Sequence, residues 1–272
     1  MSSQTARARL AADLREMVGE QMAYRELLFQ MTRRDLLLRY KQTVMGFGWA
    51  IFMPLVNTII FSVIFTRLAP LKTDVPYPVY AYSGLLAWNF FASSLRFAVN
   101  SLTGNANLVT KIYFPREIFP ISAVMVTLID TAVGSLVLAG MMVYYQVGVS
   151  PAILLLPFVV AVLVVFTCAI ALLLAMANLF YRDVKYLFEI LVTLWMFSTS
   201  VVYPVERIGG RLGLLLQVNP MSPIIDAFRS VILLGVVPDL GRLLAVAVVS
   251  VATLLVAWVA FHRAEFKFAE NI

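Results

Sequence analysis

Residues 33–55 read RRDLLLRYKQTVMGFGWAIFMPL. The stretch opens on a basic, amphipathic piece carrying Arg33, Arg34, Arg39 and Lys41, and runs directly into a long apolar segment. A charged segment that flows into a membrane span fixes which side of the bilayer is which. It also sets cationic groups at the depth of lipid headgroups.

Working outward, the whole chain has the same character. Of its 272 residues 61% are hydrophobic and only 13% charged, with a mean hydropathy of +0.89. A soluble domain carries roughly 25% charged residues, so this is an integral membrane protein. The length holds about six spans of roughly 20 residues each. The first forty residues are rich in charge and lack the short apolar core of a cleavable signal. The single cysteine, Cys168, lies in an apolar run. It excludes an internal disulfide and a cysteine-rich metal site.

The expected fold is an all-α integral membrane protein. A cytoplasmic tail and interfacial amphipathic helix occupy 1–43, and a six-span transmembrane domain occupies 44–272. Within the first part, Tyr24, Leu27, Leu28 and Met31 recur at helical spacing. Thr32 followed by Asp35 resembles a capping box, so the helix over 20–42 is one piece or two. The spans are expected at 44–66, 79–101, 118–145, 153–180, 187–204 and 242–261. Pro54 inside span 1 frees a carbonyl that needs another partner. Arg96 is expected to snorkel at the end of span 2. Residues 206–237 are apolar but too broken to cross, so two short helices are expected there, dipping into or lying on the outer leaflet. Six spans place both termini on one side. That side holds fourteen of the 21 Lys and Arg, and the other holds six. The positive-inside rule then makes the terminal side cytoplasmic.

The chemistry is sparse. No phosphate-binding G-x-x-x-x-G-K-[ST] loop occurs. One histidine, His262, builds neither a multi-histidine metal site nor a triad, so no metal is expected. Asp130 is the one acid deep in a span. It is either a functional group or an acid bonded to Thr127, Ser135 or another helix. Glu189 is expected to pair with Arg182 or Lys185. These features suit a conduit without its own motor. Aromatic and hydroxylated residues in spans 1, 2 and 5 are candidates to line it: Phe52, Trp88, Phe91, Trp195 and Phe197. Helix packing or lipid contact is the competing reading for each.

Three stretches in order carry a family resemblance: residues 33–55, NANLVTKIYFPREIFPIS (105–122) and NPMSPIIDAFR (219–229). They resemble the membrane subunits of polysaccharide-exporting ABC transporters of the ABC-2 type, the O-antigen and teichoic-acid export family. The resemblance implies a homodimer in a bacterial inner membrane, bound to two copies of a separate ATPase. That partner would hold the ATP and Mg; this chain would bind no cofactor. It implies that residues 105–116 are a coupling helix, with Leu108, Val109, Lys111, Ile112, Tyr113, Phe114 and Arg116 serving the ATPase. It implies an outer gate at 206–237 that includes Asn219, Pro220, Asp226 and Arg229. Arg33, Arg34, Arg39 and Lys41 would then draw in the diphosphate of a lipid-linked glycan, or simply touch bulk anionic lipid. Cargo other than O-antigen (teichoic acid, lipid or drug) fits the same architecture. A membrane-embedded lipid-sugar transferase is a remote alternative, since Asp130, Glu189 and His262 are far apart in sequence.

Overall fold

The computed structural model describes residues 19, 22–41, 43–46, 48–68, 73–111, 114–203 and 218–268. They form helices joined by short turns. Helix α1 spans Arg25–Tyr40, α2 Gly48–Val63, α3 Tyr77–Val99, α4 Ala106–Lys111 and α5 Ile118–Tyr144. Then come α6 Leu156–Phe180, α7 Val184–Phe197, α8 Met221–Arg229 and α9 Leu240–Ala264. Four segments among the described residues are long and apolar enough to cross a membrane: Gly48–Arg67, Ile118–Tyr144, Pro151–Phe180 and Leu240–Lys267.

Helix α1 is one piece. The Thr32 hydroxyl donates back to the carbonyl of Leu28 within the helix (2.8 Å) instead of capping a new one. None of its residues is fully buried, and Phe29, Leu37 and Leu38 are exposed. The expected direct passage into span 1 is interrupted. Gly46 takes φ +53°, a conformation suited to glycine, and turns the chain between α1 and α2. Pro54 lies within α2, and the Thr58 hydroxyl donates to its carbonyl (2.8 Å).

Helix α3 is the centre of the molecule. Its 23 residues are long enough to span a bilayer, but most are buried, because α2, α5, α6, α7 and α8 all pack on it. It can therefore carry Ser83, Ser94 and Asn89 at a mean apolarity below that of the lipid-facing helices.

Helix α7 corrects an expectation. Span 5 was placed at 187–204, yet the helix covers Val184–Phe197, only 14 residues and about 21 Å. Ser198 and Thr199 return their hydroxyls to Leu194 and Trp195, and the helix ends there. The outer pair of helices is corrected in part. Residues 204–217 lie outside the described residues. From Met221 the chain forms α8 and then a π turn, Ser230–Leu234, closed by Gly235 at φ +64°. This element is buried through Met221, Ile224, Ile225 and Phe228; it does not lie on a surface.

Two apolar clusters hold the bundle. The larger surrounds α3. The smaller joins Leu102, Val109, Phe114, Phe119, Leu179, Phe261 and Phe268, with Tyr24, Leu27, Leu28 and Met31 packed on it. The start of α1, helix α4 and the end of α9 thus share one end of the bundle, here the terminal end. Residues 64–68, 73–77, 198–203 and 218–238 lie at the far end, where the Phe65 and Tyr77 rings meet at a tilt (5.6 Å) and Tyr77 donates to the Val202 carbonyl (2.8 Å).

Candidate functional site

At the far end, α7 stops inside an apolar surrounding and leaves backbone carbonyls exposed. In such a place each needs a donor. The segment 219–229 supplies them. The Asn219 amide donates to the Ser198 carbonyl (2.9 Å) and the Thr199 hydroxyl (2.7 Å). Its oxygen accepts from the Trp195 indole (2.9 Å) and the Met221 N–H (3.0 Å). Arg229 donates to the carbonyls of Ser200 and Val201 and to the Tyr80 hydroxyl (3.1 Å). Its guanidinium carbon lies 3.8 Å over the Tyr80 ring. Asp226 sits 3.8 Å from it and accepts from Ser200 (3.0 Å). Arg229 is 4% exposed, so its charge is met by these groups rather than by bulk water. Pro220 lies at the turn into α8.

Gly84 makes the arrangement possible. A Cβ there would collide with the Val201 carbonyl and with Arg229 Nη2. Gly84→Ala is expected to destabilise the protein by about 1–3 kcal/mol through overpacking. A lowered melting midpoint in mild detergent checks it, and an unchanged midpoint would show that the carbonyl can yield. A glycine inside a helical apolar run signals close approach; the sequence reading passed over it, and took Tyr77 and Tyr80 as aromatics at a span end.

The aromatic candidates divide. Trp88 and Phe91 are buried, in a cluster where Phe91 meets Trp88 (5.5 Å), Phe166 (5.8 Å) and Trp195 (5.1 Å). Both pack into the core, Phe91 against α6 and α7. Phe52 and Phe197 are exposed. The polar surface lies elsewhere, in a groove of about 430 Å³ between α1, α2, α3 and α5. Asn57, Asn89, Ser93, Arg96 and Thr131 line it, with Trp49 and Phe97. The sequence reading missed it, although amides within spans were its available signal.

Asp130 closes one wall of that groove. It pairs with Arg39 and accepts from the Tyr40 hydroxyl (2.6 Å). Burial, reinforced by the carboxylate, pushes the Tyr40 phenol above its ordinary range, so it stays a donor. The Arg39 guanidinium also lies 3.6 Å over Phe97. Of the two readings of Asp130, bonding to another helix is the one observed; Thr127 and Ser135 bond to backbone carbonyls instead. Further along α1, Arg34 donates to Asp35 (2.8 Å) and Asn105 (3.0 Å), and Asp35 accepts from Ser122 (3.0 Å). Arg39 thus holds α1 to α5, and Arg34 holds it to Asn105, just ahead of α4. Arg33 and Lys41 are exposed. Glu189 bonds Arg96 (3.1 Å) rather than Arg182 or Lys185, so Arg96 crosslinks α3 to α7.

At the terminal end, Val109 and Phe114 turn into the core, and Leu108 is half-buried. Arg116 donates to the Val109 carbonyl (3.2 Å) and to Glu265 (3.2 Å), so it ties α4 to the end of α9. Asn107, Thr110 and Lys111 face outward. Ile112 and Tyr113 lie outside the described residues. Glu117, His262 and Glu265 also meet here, with His262 Nδ1 at 3.7 and 3.8 Å from the two carboxylates. The fold brings Glu117 to His262 and Glu265, while Asp130 and Glu189 stay apart from them, paired with Arg39 and Arg96.

Comparison with known proteins adds a family. A model of the ABC-2 type transporter family matches residues 26–233. The O-antigen export system permease protein RfbA of Myxococcus xanthus is 29% identical over 94% of this chain and 99% of its own. The protein of the same name in Klebsiella pneumoniae is 28% identical over 90% and 94%. The polysialic acid transport protein KpsM of Escherichia coli is 23% identical over 85% and 91%.

Proposed function

The chain belongs to the ABC-2 type transporter family, and from that premise we propose that it is the membrane permease of an ATP-driven polysaccharide exporter. The family match over residues 26–233 carries the reading, and the full-length likeness to O-antigen export permeases supports the cargo class. The chain is a transport subunit, and an ABC ATPase supplies the energy. ATP and Mg belong to that partner.

The finer mechanism is as follows. Six passes cross a bacterial inner membrane with both termini in the cytoplasm. Alternation of the loops between the two ends of the bundle supports this, with α3 and the short α7 completing the count. Two copies of the chain pair with two ATPases, and the permeating glycan is lipid-linked. On ATP binding the ATPases close and push on residues 105–116. The inward anchors Val109, Phe114 and Arg116 pass that push to α5 and α9. The outward Lys111, with Asn107 and Thr110, meets the ATPase. The segment 206–237 gates the far side. Arg33 and Lys41 face the headgroups and attract the diphosphate, while Arg34 and Arg39 position the helix that carries them. The groove along Asn57, Asn89 and Ser93 offers amides and hydroxyls to the sugar and aromatic faces to its apolar side.

Two measurements test this. Deletion of the gene should make lipid-linked glycan accumulate inside the cell; normal surface glycan in the deletion strain would refute the reading. Lys111→Glu should weaken co-purification of the ATPase on the order of tenfold while the melting midpoint stays unchanged. Undiminished co-purification would move the docking surface elsewhere.

A further inference from the structure

The terminal end holds another cavity, which shares no lining residue with the groove between α1, α2, α3 and α5. It measures about 310 Å³ and is lined by Asn100, Thr103, Asn178, Arg182 and Lys185 among others. Its floor is Asn178, 2% exposed and close to the end of α6. The Asn178 amide donates to the Val99 carbonyl in the last turn of α3 (2.7 Å). That acceptor fixes the nitrogen, so the oxygen takes the opposite side. Asn178 Oδ1 is buried and meets no donor among the described residues. A buried acceptor left in this way costs about 1–3 kcal/mol, so the cavity wants an occupant that brings a hydroxyl or N–H.

The mouth wants a negative charge. Arg182 stands in the turn after α6, and Lys185 in the first turn of α7. Glu189, the nearest acid along α7, is taken by Arg96; Asp183 is exposed. The flank is apolar. Tyr181 and Tyr186 are exposed beside the mouth, and from Leu187 onward Ile190, Leu191 and Leu194 are exposed on α7. Aromatics at this level mark a membrane interface.

An anion, a hydroxyl donor and an adjoining hydrocarbon chain together describe one class of molecule. We infer that this cavity binds the headgroup of an anionic glycerophospholipid in the leaflet on the terminal side. The phosphodiester lies between Arg182 and Lys185, the glycerol hydroxyl donates to Asn178 Oδ1, and an acyl chain follows α7. The occupant braces the ends of α3, α6 and α7 against one another. It does so next to Ala106, the first residue of α4, so its presence stiffens the platform from which the coupling segment works.

Native mass spectrometry of the full-length protein, purified with its ATPase and stripped of lipid, tests this. The probes are phosphatidylglycerol, phosphatidylmethanol (the same charge without the hydroxyl), phosphatidylethanolamine and soluble glycerol phosphate. Phosphatidylglycerol should be retained several-fold better than phosphatidylmethanol, and both better than phosphatidylethanolamine. The double variant Arg182→Gln/Lys185→Gln should lower retention of both anionic lipids roughly twentyfold, since each cation near an anionic surface is worth about fivefold. Equal retention of phosphatidylglycerol and phosphatidylethanolamine, or a double variant that binds as before, overturns the inference. Displacement by equimolar glycerol phosphate would assign the cavity to a free phosphate ester instead. A double variant that keeps its lipid but sheds the ATPase would give the two cations to the protein partner. None of these outcomes bears on whether the chain exports a glycan.

Discussion

Arg229→Leu is expected to leave little assembled permease, with a stability loss on the order of 5 kcal/mol. The reason is asymmetric. An apolar substitute removes the burial cost of the charge, and where both members of a buried ion pair are replaced that gain often balances the loss. Here the partners are the backbone carbonyls of Ser200 and Val201, which no mutation removes. Each stranded carbonyl costs about 1–3 kcal/mol. The cation over the Tyr80 ring is worth about 2 kcal/mol when shielded from water. Arg229→Lys keeps the charge, but a single ammonium does not span two carbonyls and a ring, so an intermediate loss is expected. Melting in mild detergent should show a drop on the order of 10 °C for the leucine variant. A melt within a degree or two of the parent, with export intact, would show that the 198–202 turn is held by Asn219 and Tyr77 alone.

Asp130→Ala is the second large effect, expected at about 3–5 kcal/mol. The pair it breaks is shielded, with side-chain exposures of 16% for Arg39 and 15% for Asp130. Removing the carboxylate strands the guanidinium at the groove wall and deprives Tyr40 of an acceptor. The damage should be local to α1, since Asp35 with Ser122 is its next anchor along the helix. Amide hydrogen exchange over residues 25–40 should therefore accelerate strongly while α3 and α6 stay protected. Arg39→Met combined with Asp130→Ala removes the stranded charge and should recover most of the lost protection. If exchange in α1 is unchanged in Asp130→Ala, the ion pair does not hold the helix down.

The membrane class, the family, the helix ahead of the first span and the long apolar spans were legible in the chain itself. These follow from composition and local period: a run such as 156–180 carries no charge, and α1 alternates charge with leucine at helical spacing. Such properties belong to single segments and survive without neighbours. The roles of Trp88, Phe91, Arg39, Asp130 and Arg229 were not legible. An aromatic side chain suits core, lipid and passage alike, and the packing of five helices on α3 decided for core at Trp88 and Phe91. Arg39 reads as a headgroup cation until a residue 91 positions away supplies its carboxylate. Arg229 reads as one more charge in a topology count until the end of α7 presents it with carbonyls. The sequence determined what each segment needs, namely a bilayer, a partner for every buried charge and a donor for every broken turn. Only the tertiary structure decided which distant residue meets the need, because burial and hydrogen bonding are properties of the packed assembly and not of any one stretch.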